Sequence, residues 1–133
     1  MKQVGAIPYR RDDAGVMKVL LVTSRETGRW VIPKGWTMKG LSDRKAALIE
    51  AEQEAGVRGR LRRKPAGVYA YFKRTRSAFE LVEVTVFLLA VEEMLETWPE
   101  MSERKRRWHS IEAAERLVIE PGLKSILRTL ASE

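Results

Sequence analysis

The chain has 133 residues, no cysteine and one histidine, and its 25 Lys and Arg outnumber 18 Asp and Glu for a net charge of +7. That length suits one domain, taken as residues 1–133, able to bury roughly two-thirds of its unfolded surface. The composition excludes disulfides, thiolate chemistry and a multi-histidine zinc site, and no run of about 18 apolar residues is present to form a membrane-spanning helix. The opening stretch MKQVGAIPYRRDD lacks the apolar segment of a signal peptide, so a cytoplasmic location is the expectation.

Residues 2–10 read as a strand, and Asp12–Gly15 supplies turn chemistry. Met17–Thr23 (MKVLLVT) reads as a second strand, rich in β-formers, that pairs with the first as a hairpin. Ser24–Gly28 is a loop. Arg29–Pro33 is a short strand closed by proline, which has no ladder donor. A glycine-punctuated loop follows over Lys34–Leu41. A helix then begins at Ser42, a suitable N-cap with Asp43 in the first turn, and stops at Gly56, suited to a left-handed C′ position. On a 3.6-residue wheel Ala47, Ala51, Ala55 and Leu48 gather on the side that packs on a sheet. Glu50 and Glu54 lie together on an adjoining face, Gln53 flanks them, and Glu52 points the other way.

Val57–Leu61 begins another strand, and Arg62-Arg63-Lys64-Pro65 is a basic break. Ala66–Arg74 is β-like, Thr75–Ala78 a turn, and Phe79–Val91 the strongest strand, alternating first and then continuously apolar as a central strand is. Met94–Lys105 reads as a polar loop and Trp108 as a short extended piece. Ser110 caps a helix through Leu117, and Pro121 starts a last helix through Ala131.

Glu50 and Glu54 stand at i,i+4, where like charges repel unless a cation lies between them. Hard divalent ions favour carboxylate oxygens and retain water and phosphate ligands. The stretch PKGWTMKGLSDRKAALIEAEQEAGV (Pro33–Val57) resembles the box that defines the Nudix family, G-x5-E-x7-R-E-U-x-E-E-x-G-U with U aliphatic. Gly35, Glu50, Glu54, Gly56 and Val57 match at the right spacing. Leu41, Ile49 and Gln53 stand where the pattern has Glu, Arg and Glu. The flanking runs TSRETGRWVIPKG, EAGVRG, ETWPE and ERKRRWHSIEAA are similar to the diphosphoinositol polyphosphate phosphohydrolase branch of that family.

The resemblance implies an α+β fold, an α/β/α sandwich with a mixed sheet between helices. It also implies hydrolysis of a diphosphate linkage in a phosphate-rich small molecule, of the diphosphoinositol polyphosphate or dinucleoside polyphosphate class, with Mg2+ or Mn2+. Glu50 and Glu54 would be the catalytic residues. The metal donors would be Gly35 through its carbonyl, Glu50, Glu54, and Gln53 as a neutral and poorer ligand. A further carboxylate often comes from beyond the box, and Glu80 or Glu83 is the candidate here. They sit three apart on one strand, so at most one is well aimed.

Basic residues gather near predicted loops and strand ends, among them Arg10, Lys39, Lys73, Arg74 and Arg76. By resemblance Arg25, Arg29, Lys34, Arg104 and Arg106 would grip phosphate, which suits the planar guanidinium fork. Ile49 and Gln53 carry the rival expectation of a ligand-binding protein without turnover. The net charge carries another, RNA binding or decapping, which ranks lower because the chain has no basic tail. Dimers are frequent in the family, and no stretch identifies an interface.

Overall fold

A computed structural model describes residues 1–133. The strands are β1 (Lys2–Arg11), β2 (Met17–Thr23), β3 (Trp30–Val31), β4 (Lys34–Trp36), β5 (Val57–Leu61), β6 (Gly67–Arg74), β7 (Phe79–Met94) and β8 (Arg106–Ser110). The helices are α1 (Asp43–Glu50), α2 (Ile111–Leu117) and α3 (Pro121–Leu130). All eight strands join one mixed sheet built on the parallel pair β1–β7. Along its other edge β1 meets β4 at Gln3–Gly5 and β2 at Tyr9–Arg11. β7 likewise carries β6 and then β5 on its far edge.

Each face of the sheet has its own apolar layer. On one, Ile7, Val19, Leu21, Val82, Val84 and Val86 pack under Ala114, Leu123 and Leu127 of α2 and α3. On the other, Val4, Ala6, Leu20, Val22, Phe87 and Leu89 pack under Ala46, Ala47, Ala51 and Ala55. The middle of β7 is therefore apolar on both sides, as its unbroken run requires. The four alanines are fully buried, and their small side chains let α1 lie close to the strands.

Both expected caps are present. Ser42 accepts from the Lys45 N–H at 3.1 Å, and Ser110 accepts from the Ala113 N–H at 3.1 Å.

Three local expectations need correction. Lys34–Trp36 is not loop but strand, because its register against Gln3–Gly5 gives its backbone a ladder. The expected strand Arg29–Pro33 shortens to Trp30–Val31, although the Pro33 carbonyl accepts from the Ala6 N–H at 3.0 Å. The helix does not continue as α to Gly56. Residues Ala51–Ala55 widen into a π-helical turn, which Gly56 ends at φ 64°. A Cβ at Gly56 would meet the Trp98 indole as well as an unfavourable dihedral.

Candidate active site

A cleft of about 470 Å3 opens where β4, the π turn, the 24–29 loop, the end of the β6–β7 hairpin and the segment around Glu100–Arg104 meet. Its acidic centre is Glu50 and Glu54. Glu54 is only 7% exposed, and its Oε1 accepts from the Lys34 backbone N–H at 3.2 Å. Glu50 is half-buried, within hydrogen-bonding reach of Glu54. Burial pushes the Glu54 carboxyl up to about 7; Arg104 opposes the rise and the neighbouring Glu50 adds to it. Burial also raises Glu50, against the hydrogen bond with Glu54. A methyl group on Gly35 would overlap the Glu50 carboxyl, so only glycine allows β4 to lie this close to the acid.

The other members of the expected donor set divide. Gln53 is exposed and lines the cleft, next to the two acids. Glu52 points away as the wheel predicts, pairing with Arg58 at 2.6 Å. Glu80 and Glu83 do not supply the further carboxylate: they stand opposite Lys73 and Ala70 in the β6–β7 ladder, and neither lines the cleft. The carboxylate that does reach it is Glu100, from the segment read as a polar loop. The Glu100 N–H donates to the Gln53 carbonyl at 3.0 Å, which docks it against the π turn. No three acidic or imidazole side chains converge on one point. The donors that fit a hard divalent ion are thus the Glu50–Glu54 pair, two carboxyls pressed together beside a glycine that leaves room for them.

The cations also divide. Arg25, Arg29, Lys34 and Arg104 line the cleft, together with Lys73 and Arg74. Arg25 is mostly exposed and reaches Glu100 and Glu103 only at 3.9 and 3.6 Å. Arg29 is bound to the buried Glu120 at 3.0 Å, and its Nη1 and Glu120 Oε1 have no partner. The Lys34 ammonium lies 5.2 Å over the Tyr71 ring, and burial lowers its pKa. Tyr71 is itself fixed by its hydroxyl, which donates to Gln3 Oε1 at 2.8 Å.

Arg106 is a correction. It is absent from the cleft and donates instead to the carbonyls of Ala55, Gly56 and Leu95 at 2.7–3.0 Å, with its guanidinium 3.8 Å over the Trp98 ring. It satisfies carbonyls that the end of the helix leaves open. The single His109 is buried under Trp30, and burial lowers its pKa. It takes no part in the cleft.

Set beside known proteins, the chain matches the NUDIX domain family over residues 1–130. It belongs to the Nudix hydrolase family. It is 34% identical to Nudix hydrolase 12, mitochondrial, of Arabidopsis thaliana, over 97% of this chain and 73% of that one. It is 36% identical to diphosphoinositol polyphosphate phosphohydrolase 3-alpha of Mus musculus, over 73% of this chain and 57% of the mouse protein. Among solved structures it superposes on an Ap4A hydrolase binary complex from C. elegans with a TM-score of 0.73 at 21% identity, covering 98% of this chain and 95% of the other. Its TM-score against dihydroneopterin triphosphate pyrophosphohydrolase of E. coli is 0.76 at 15% identity, covering 98% and 94%. These two likenesses establish the Nudix fold, an α+β sandwich.

Within that family the places of Gly35, Glu50 and Glu54 in the cleft were legible from the box spacing. Glu100 was not: it lies 46 positions beyond Glu54 in an irregular segment, and only the docking of that segment on Gln53 brings it in. The one sequence signal nearby is the Trp98-Pro99 pair. The Trp98 Nε1 donates to the Glu54 carbonyl at 3.2 Å and ties the segment to the turn.

Proposed function

We propose that this Nudix hydrolase cleaves a diphosphate linkage in a phosphate-rich small molecule, of the dinucleoside polyphosphate or diphosphoinositol polyphosphate class, in a reaction that needs Mg2+ or Mn2+. The observation that carries this reading is the pair of buried Glu54 and half-buried Glu50 against Gly35 in a cleft edged by Arg25, Lys34, Lys73 and Arg74. Glu54 would be the principal metal ligand and Glu50 a second. The Gly35 carbonyl and the Gln53 amide oxygen would be neutral donors. A divalent ion there supplies positive charge to the phosphoryl oxygens and makes a water more acidic.

The rest follows from side chains. The phosphate chain lies among Arg25, Lys34, Lys73 and Arg74, which hold its oxygens as charge builds on them. Glu50, the more open of the two acids, takes the proton of the attacking water. The water oxygen bonds to phosphorus, the bridging P–O bond breaks, and the departing phosphate keeps the electron pair. Arg29 is already engaged by Glu120, so it shapes the floor of the cleft and offers the substrate fewer free donors.

A second reading, ligand binding without turnover, is favoured by one observation: Gln53 places a neutral amide where a third acid would complete the donor set. The test is hydrolysis of a panel of diphosphate compounds with Mg2+ and with Mn2+, alongside Glu54→Gln. Turnover that disappears in the variant supports the hydrolase. Polyphosphate binding with no turnover on any compound sinks it in favour of the binder.

A further inference from the structure

We propose that Arg104 is the positioning residue for Glu54, holding it with a cation supplied from a loop. The inference rests on the reading of Glu54 as a working carboxylate of the cleft. Arg104 is poorly disposed to bind phosphate, because its side chain is 9% exposed and all three nitrogens are engaged. Nε donates to Glu100 Oε1 at 2.7 Å, Nη1 donates to the Thr23 carbonyl at 3.0 Å, and Nη2 lies 3.5 Å from Glu54 Oε2. A planar fork fixed at two points cannot swing out to follow a substrate. It can hold a third group in place.

Glu54 is the group held. Its two oxygens are met from different elements, Oε1 by a hydrogen bond from the Lys34 amide of β4 and Oε2 by the Arg104 guanidinium at ion-pair distance. Together these contacts limit rotation of the carboxyl about its last bond. The loop that carries Arg104 is registered against the same turn, since the Glu100 N–H and the Trp98 indole both donate to π-turn carbonyls. No other side-chain cation forms an ion pair with Glu54. The cations of α1 lie in its first turns, where Arg44 donates to the Leu61 carbonyl. Ile49 and Gln53 form a neutral pair at i,i+4 on the helix side. Glu100 and Arg104 form a charged pair at the same spacing on the loop side. The cleft thus obtains its oriented carboxylate from an arginine carried on a loop.

Two measurements decide the matter. In kinetics, Arg104→Gln should lower kcat at least about tenfold with KM changed by less than about twofold, the signature of lost orientation rather than lost substrate binding. A raised KM at unchanged kcat overturns the proposal. In metal-free thermal unfolding at about pH 8, Arg104→Gln should lower Tm by at least about 3 °C more when Glu54 is present than in a Glu54→Gln background. Equal losses overturn it. A wild-type chain that hydrolyses no diphosphate ends the hydrolase reading of the preceding subsection, and the unfolding comparison still decides whether Arg104 holds Glu54.

Discussion

Replacing Glu54 by Gln should make the metal-free protein more stable above neutral pH while abolishing the proposed reaction. The carboxyl titrates at an ordinary 4.5 in the unfolded chain and at about 7 in the fold, raised chiefly by burial. Between those values the unfolded chain releases the proton while the folded one keeps it, so stability falls as pH rises and levels off above about 7. The gap corresponds to about 3 kcal/mol as a ceiling, at about 1.4 kcal/mol per unit. Gln keeps the shape and an oxygen for the Lys34 N–H, and carries no charge to desolvate. Glu50 is shifted in the same direction, so the quantity to follow is the stability of wild type minus that of Glu54→Gln. Urea unfolding in a chelator, from about pH 5 to about pH 8, should show that difference drop by about 2 kcal/mol or more. Millimolar Mg2+ at the upper end should then raise wild type more than the variant, which has lost the principal carboxylate ligand. A difference that is flat or rises with pH would refute the reasoning.

Gly35→Ala should cut turnover by about a hundredfold with little loss of Tm, since its methyl displaces the Glu50 carboxyl and not the core; an unchanged kcat would show that Glu50 need not sit there. Arg106→Ala should cost about 2 to 4 kcal/mol in urea unfolding, because it removes the side-chain donor to the carbonyls of Ala55 and Leu95 and leaves Gly56 only its bond from the Leu95 N–H, while KM for any substrate stays the same in the folded fraction. A raised KM without loss of stability would return Arg106 to phosphate binding. Glu80→Gln and Glu83→Gln should leave kcat/KM within about twofold, as their strand positions lie outside the cleft, and a tenfold loss in either would reinstate it as the further acid.

Much of this protein was legible from the chain alone, for a local reason. The box spacing, the alanine stripe, the Ser42 and Ser110 caps and the stop at Gly56 depend on residues within a few positions of one another, where helix period and capping chemistry suffice. The alternating then apolar run of β7 likewise declared a central strand, and the resemblance to the family box singled out Glu50 and Glu54, which helix period puts on one face. Other features depended on contacts between distant segments. Lys34–Trp36 becomes a strand only because Gln3–Gly5 lies beside it. Arg104 and Arg106, two positions apart in one basic run, part company: one turns in to Glu54 and Thr23, the other to the end of the helix. Glu100 rather than Glu80 or Glu83 reaches the acids because the loop docks on Gln53. A charge in a sequence has no direction. Which carbonyl or carboxylate it meets, and whether it stays wet or is buried, is decided when the sheet brings segments tens of residues apart into one cleft.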